Sequence, residues 1–279
     1  MEIGVFHELT IVKERDQGLY LTDDLGDEVL LPNKYVPESF EFGDTLRVFV
    51  YLDHSEREVA TTLEPYVTVN KFALLKCVST TEFGGFLDWG LEKNLFIPFK
   101  EQVIKVRKGE WYLVHVFKDE KTNRLLASSK TNRFLNNNNI TLKAYDKVEV
   151  IASHPSDKGW NVIVDQKYSG LVYHDEIFQK ISVGDVITAY VKKVRRDNKI
   201  DITLQQHGYR SIDPNADIIV NLLNAEGGFL PLTDKSTPQK IQEILQMSKK
   251  NFKKAVGFLY KKRKIVLDTD GIRLRNPNS

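Results

Sequence analysis

The sequence predicts a mostly β protein with a C-terminal α+β module, namely three tandem five-stranded OB-fold barrels followed by a winged helix-turn-helix. Three observations predict this fold. Residues 145–206 contain five short runs rich in Val and Ile, separated by turn residues. The same pattern occurs twice earlier in the chain. After residue 206 the period of the apolar pattern changes from two residues to about 3.6 residues, which indicates helices.

The clearest copy of the β pattern is the third. Its five runs are KVEVIAS, WNVIVD, SGLVYH, DVITAYVKKV and KIDITLQ, with turns at residues 157–159, 167–170, 183–185 and 197–198. Five antiparallel strands of this length close into a small barrel, and the commonest such barrel is the OB-fold, which often binds single-stranded nucleic acid.

The two earlier copies cover residues 3–62 and 66–130, and a glycine precedes the fourth run of each copy, at positions 43, 109 and 184. Between the second and third copies lie four asparagines at 136–139, which favour irregular chain and which we interpret as a plain linker. The predicted domains are therefore 1–64, 65–135 and 144–207 for the barrels and 212–279 for the winged helix.

The last domain is predicted from helix signals. Residues 216–225 have an apolar face and are followed by a Glu-Gly-Gly stop. Ser236-Thr237-Pro238 is a good helix start, because a hydroxyl caps the free N–H groups and Pro fits the first turn. Ser248 caps a third helix, and residues 265–275 form a hairpin. Three helices followed by a two-stranded wing make a winged helix.

The net charge of +2 is unevenly distributed. Residues 1–64 contain 5 Lys and Arg against 15 Asp and Glu, whereas residues 235–279 contain 12 against 3. The first segment therefore repels phosphate and the last attracts it. We expect nucleic acid to bind through the C-terminal half, with the acidic first barrel as a spacer, shield or protein-contact surface.

The third copy also resembles a known family. Its Gly159-Trp160 pair, the GLVYH stretch at 170–174, the VGDV step at 183–186 and the closing KIDITL at 199–204 are similar to the RNA-binding repeat of ribosomal protein S1. In that repeat, bases stack on aromatic residues of the second strand and on a His of the third, and an Asp and a basic residue lie near the last hairpin. The first copy keeps only Asp53 and Arg57 of this pattern and lacks the aromatic residues, so we expect little RNA contact by the first barrel.

The resemblance implies RNA-binding residues in the other two barrels. In the second barrel they are Phe83, Phe86 and Arg124, and in the third they are Trp160, Tyr173, His174, Arg195 and Lys199. Another interpretation stays open, because Trp160 alternates with Val162 and Val164 and could point into the core. The same holds for the two phenylalanines, and the basic hairpin could simply be solvated.

The last helix would be the recognition element of the winged helix, and it is strongly basic. Its candidate RNA-binding residues are Lys249, Lys250, Lys253, Lys254, Lys261, Lys262 and Arg263. Winged helices also bind proteins, so the fold by itself does not establish nucleic-acid binding.

Three S1-like barrels followed by a winged helix is an unusual order, and the chain closely resembles the bacterial conserved virulence factor B family. The most specific stretches are GGFLPLTDKSTP at 227–238 and SKKNFKKA at 248–255. This resemblance implies a cytoplasmic RNA-binding protein linked to the regulation of gene expression. It also implies that the third barrel and the winged helix supply much of the RNA contact.

Other classes of protein are disfavoured. The apolar runs are too short to span a membrane, and the N-terminus is unlike a signal peptide, so we predict a cytoplasmic protein. The single cysteine, Cys77, excludes an internal disulfide and a multi-cysteine zinc site, and is predicted to be a buried thiol. The acidic pairs at 23–24 and 27–28 are interpreted as a solvated turn.

These observations predict a non-enzymatic protein without cofactor or metal, which binds single-stranded RNA and regulates gene expression. Aromatic stacking on the barrels and phosphate neutralisation by the winged helix would supply the binding. The alternatives are a DNA-binding transcriptional regulator that uses the winged helix, and the accessory RNA-binding arm of an RNA-processing complex.

Overall fold

The computed structural model describes residues 1–177, 180–205 and 214–275. It divides into two compact units, Met1–Leu204 and Gln205–Ser279. Within the described residues the first unit contains three closed five-stranded barrels, and the second contains three helices and a small sheet. The predicted fold class is confirmed. The predicted domain ends at 207, 212 and 279 lie outside the described residues.

The three barrels share one topology. The first is formed by β1 (Phe6–Arg15), β2 (Gly18–Thr22), β3 (Glu28–Pro32), β4 (Thr45–Leu52) and β5 (Glu58–Thr61). The second is formed by β6 (Phe72–Thr80), β7 (Gly84–Asp88), β8 (Leu95–Pro98), β9 (Trp111–Lys118) and β10 (Leu125–Ser128). The third is formed by β11 (Lys147–Ser156), β12 (Gly159–Val164), β13 (Tyr168–Tyr173), β14 (Val186–Val194) and β15 (Ile200–Thr203). In each barrel the third and fifth strands pair in parallel, and the remaining pairs are antiparallel.

Two local features repeat in all three barrels. The first strand has a register shift after Ile11, Cys77 and Ala152, at the same place in each copy. Such a bulge bends the strand so that it can pair with both neighbours of a closed barrel. The glycine that marks the repeat has φ of 95°, 90° and 88° at positions 43, 109 and 184. Only glycine adopts this conformation readily, which explains why the glycine recurs.

The barrels pack directly against one another. Phe49 and Tyr51 of the first barrel belong to the same buried cluster as Trp89 and Leu87 of the second, and the Phe49 and Trp89 rings meet edge to face at 5.7 Å. A smaller cluster joins Phe72 and Leu113 of the second barrel to Ile151 and Ile163 of the third. The three barrels therefore form one packed unit, in which each barrel shares buried side chains with its neighbour.

The asparagine segment is more than the plain linker expected from its composition. The Asn137 side chain donates to the carbonyl groups of Ser169 and Asn198, at 2.8 Å each, and accepts a hydrogen bond from the Ser169 N–H. Ile140 and Leu142 then pack on the core of the third barrel. Residues 136–143 therefore belong to the third barrel in packing terms.

The second unit is a winged helix. Its helices are α1 (Pro214–Ala225), α2 (Pro238–Leu245) and α3 (Lys249–Lys261), and its sheet has the order β16 (Phe229–Leu230), β18 (Ile272–Leu274), β17 (Ile265–Leu267). The predicted caps are confirmed, since the Thr237 hydroxyl accepts from the Lys240 N–H and the Ser248 hydroxyl accepts from the Asn251 N–H. The short strand β16 was not predicted.

Candidate nucleic-acid interface

The three residues predicted in the second barrel line one cleft. Phe83, Phe86 and Arg124 surround a cavity of about 580 Å³, with Phe96 and Lys93 also in its wall. Phe83 lies just before β7 and its ring is 68% exposed. Such an exposed aromatic side chain offers a face for stacking, so the interpretation of Phe83 as a core residue is wrong.

The register of the sheet explains how the other aromatic rings meet. Phe86 on β7 pairs directly with Phe96 on β8, and their ring centroids are 5.1 Å apart. The flanking residues Leu87 and Ile97 point the other way and are fully buried. Phe86 and Phe96 therefore form an aromatic platform on the outer face of the barrel. Sequence analysis missed Phe96, although an aromatic residue on the third strand was a usable signal.

Arg124 is held by a carboxylate of the first barrel. Its Nε donates to Glu56 Oε2 at 2.9 Å, and the Lys93 ammonium lies 3.1 Å from Glu56 Oε1. Lys93 also donates to the Asp53 carbonyl at 2.6 Å. The turn between β4 and β5, which carries Asp53 and Glu56, is thus docked at the end of the cleft. The first barrel therefore supplies part of the cleft wall.

In the third barrel, Tyr173 and Arg195 lie together. The Arg195 guanidinium donates through Nη2 to the Tyr173 hydroxyl and through Nε to Asp201 at 2.8 Å. Asp201 is buried, so its charge needs this partner. The guanidinium carbon lies 5.8 Å from the centre of the Tyr173 ring. This arrangement fixes the tyrosine ring at the surface of the barrel, beside a cation.

Trp160 lies on a different face from Tyr173. Its cross-strand partner is Val172, which is completely buried, whereas Tyr173 pairs with Gly159. Because side chains alternate along a strand, Trp160 and Tyr173 point to opposite sides of the sheet. Trp160 is half-buried and shares its face with Val162. The register favours the interpretation of Trp160 as a residue at the edge of the core.

The remaining polar candidates of the third barrel are exposed and have hydrogen-bond partners. The His174 ring contacts the Ser156 carbonyl at 3.2 Å, and the Lys199 ammonium lies 2.8 Å from Asp197. Lys192, on the same hairpin as Arg195, pairs with Glu176. Burial tends to raise the pKa of Glu176, but hydrogen bonds from Lys192 and Thr203 outweigh this effect and lower it. The hairpin is therefore less positive than its sequence suggests.

The basic residues of α3 divide into two groups. Lys249 is half-buried and its ammonium donates to the Ser236 carbonyl at 2.8 Å. This contact helps to fix the loop that precedes α2. The other predicted side chains are exposed, namely Lys250, Lys253, Lys254, Lys261, Lys262 and Arg263. The opposite face of α3 is buried through Phe252, Ala255 and Leu259. The helix thus presents a basic face outward.

Two groups that could suggest catalysis have structural explanations. Cys77 is buried, as predicted, and burial raises the pKa of its thiol, which keeps it unreactive. Asp23 accepts hydrogen bonds from the Leu25 and Asp27 N–H groups, so it organises a turn. Across the described residues, the His, Cys, Asp and Glu side chains form no group able to hold a metal ion. In the same ranges, every helix is too short or too polar to cross a membrane.

Comparisons with known proteins agree with this architecture. The profile of the CvfB-like winged helix domain matches residues 217–274, and the S1 domain profile matches residues 3–63. The Bacillus subtilis (strain 168) protein named "Uncharacterized protein YitL" is 28% identical over 275 residues, covering 92% of this chain and 88% of that protein. A Staphylococcus epidermidis "Conserved virulence factor B" is 26% identical over 295 residues, covering 98% and 94%.

A solved structure also aligns with this chain. It is described as a multidomain protein with nucleic acid binding domains from Streptococcus pneumoniae, with 24% identity, a TM-score of 0.41, and coverage of 98% of this chain and 99% of that one. The resemblance to conserved virulence factor B, first seen in the sequence, is confirmed by the two domain matches and the curated relatives. The S1 and winged helix domains support nucleic-acid binding.

Proposed function

We propose that this chain, which combines S1-type barrels with a CvfB-like winged helix, is a non-enzymatic protein that binds single-stranded RNA in the cytoplasm and regulates gene expression after transcription. Bases stack on the aromatic platform of the second barrel and on Tyr173 of the third. The basic face of α3 neutralises phosphates. The protein acts by binding RNA and does not catalyse a reaction.

The cleft of the second barrel is the observation that carries this proposal. Phe83, Phe86 and Phe96 expose ring surface in one concave site, and Arg124 stands at its end. Aromatic stacking tolerates any base and contributes about 1–3 kcal/mol per base. Bases in a duplex are already stacked on one another, so this site favours a single strand.

The charge on α3 supports phosphate binding by the winged helix. Lys249 and Lys250 lie in the first turn, where the helix dipole disfavours cations. Four lysines in the first two turns also repel one another. This arrangement is unfavourable for the free helix, and a bound polyanion relieves it.

The test is a titration of the full chain with labelled single-stranded RNA, duplex RNA and duplex DNA. We expect single-stranded RNA to bind most tightly, with a log-log salt slope of roughly −3 to −4 if about four to six phosphates are neutralised. Replacing Lys250, Lys253 and Lys254 with Glu should abolish most of the binding. The proposal is wrong if the affinity is independent of salt.

A second candidate function is DNA binding by the winged helix, with the barrels as accessory domains. The exposed basic face of α3 favours it, because that is the element that enters the major groove in this fold. This function would be established instead if duplex DNA bound more tightly than single-stranded RNA in the same titration and Phe86→Ala did not change the DNA affinity.

The same RNA also tests for a nuclease. Cleavage of labelled RNA only when magnesium is added would indicate that activity.

A further inference from the structure

A glycine lies at the centre of the basic face of α3. Gly257 is the ninth of the thirteen residues of this helix and is exposed. Its neighbours on the same helical face are three, four and seven residues away in sequence. They are Lys250, Lys253, Lys254 and Lys261, together with the exposed Tyr260. The middle of the most positive surface of the helix therefore consists of bare backbone.

Neither conformation nor packing requires glycine at this position. Gly257 lies inside a continuous α-helix, a conformation open to every residue. An ideal Cβ built on it would have no atom within 4 Å apart from its two chain neighbours and the nearby backbone of its own helix. Glycine in a helix interior is less stable than alanine, because it loses more backbone entropy on folding. The helix thus carries a destabilising residue where alanine would fit.

The surroundings of Gly257 form a groove. It has a volume of about 310 Å³ and runs between α3 and the wing hairpin, with Lys253 and Val256 on the α3 side. Asp234 and Asp268 also line it, and Asp268 is paired with Arg273. The glycine leaves the helix backbone accessible at the floor of this groove. On the lysine side of the groove, an elongated anion can approach the helix backbone more closely at a glycine than at a residue with a side chain.

We propose that Gly257 is the point where the sugar-phosphate backbone of a bound nucleic acid comes closest to α3, with the flanking lysines holding the phosphates on either side. This inference rests on the proposed function and adds a specific point of contact to it. A Cβ at residue 257 displaces the strand outward, away from the lysine ammonium groups. The glycine thus favours contact with the strand, at the expense of helix stability.

The experiment compares Gly257→Ala, Gly257→Leu and Asn251→Ala in the full chain. Asn251 is exposed on α3, about 120° around the helix axis from Gly257, and its replacement also favours the helix. Two quantities are measured: the affinity for a labelled oligouridylate, and hydrogen exchange of the α3 amides. Amide exchange in α3 should slow about three- to fivefold in Gly257→Ala, because the helix is stabilised.

The affinity of Gly257→Ala should fall about three- to tenfold, as expected when one charge-assisted contact is lengthened. Gly257→Leu should lose more, and Asn251→Ala should bind like the wild type. Unchanged or tighter binding by Gly257→Ala overturns the inference, as does faster amide exchange. If replacing the lysines with Glu leaves binding intact, the winged helix part of the proposed function fails. If the lysines matter and Gly257 does not, only the present inference fails.

Discussion

Replacing Glu56 with Gln tests how the first barrel affects the cleft of the second. The substitution keeps the shape of the side chain and removes the charge that contacts Arg124 at 2.9 Å and Lys93 at 3.1 Å. An RNA phosphate bound by Arg124 would lie about 6 Å from this carboxylate. At that distance two like charges repel by about 0.7 kcal/mol in water and about 3 kcal/mol at the lower effective dielectric of a protein surface.

Glu56 is 38% exposed, so screening places the repulsion near the lower end of that range. We therefore expect Glu56→Gln to bind single-stranded RNA about three- to tenfold more tightly, a gain of about 0.7–1.4 kcal/mol. The salt slope should become steeper by about 0.7 for each additional phosphate engaged. Thermal unfolding should change little, because exposed ion pairs contribute about 0–1 kcal/mol.

The assay is fluorescence anisotropy of a labelled oligonucleotide at several salt concentrations. Glu38→Gln is the matched control, since it removes the same charge from an exposed position of the same barrel outside the cleft. A gain of equal size in both variants would mean that only the overall charge of the first barrel matters. Weaker binding by Glu56→Gln would mean that the carboxylate positions Arg124 for the ligand, and the reasoning from repulsion would be wrong.

Other predictions concern stacking, the surface tyrosine and pH. Phe83→Ala and Phe86→Ala should each weaken RNA binding by about 1–3 kcal/mol in the same titration, and only Phe86→Ala should also lower the melting temperature, since Phe83 is exposed. Tyr173→Phe removes the hydroxyl bound by Arg195 but keeps the ring, so it should bind RNA nearly normally, whereas Tyr173→Ala should not. Burial, with a smaller effect from the Arg133 charge, lowers the pKa of His115 to about 4 from 6.5. The unfolded chain therefore takes up this proton first as the pH falls, and about 2 kcal/mol of stability is lost between pH 7.5 and pH 5. Urea unfolding should show that this part of the pH dependence is absent in His115→Leu.

The repeat and the winged helix could be predicted because their signals are local. A strand alternation of two, a glycine with positive φ and a hydroxyl cap each depend on a few neighbouring residues. The contact of Glu56 with Arg124 joins positions 68 residues apart and left no local signal. The side of the sheet to which Trp160 points follows from its pairing with the buried Val172. Alternation within one strand shows which residues share a side, but does not show which side is the core. The strand β16 (Phe229–Leu230) has only two residues, which is too short to show the two-residue alternation of a strand.

The shared core of the first two barrels limits how the first barrel can change. Outside the cleft wall, its surface has few of the aromatic residues that S1 repeats use, so we expect changes there to have little effect on base stacking. Phe49 and Tyr51, however, cover Trp89 and Leu87 of the neighbouring barrel. Loss of the first barrel would expose these side chains to water and loosen the wall of the aromatic cleft. The first barrel is thus constrained on the side that covers its neighbour, whereas its solvent-facing side can vary without disturbing that shared core.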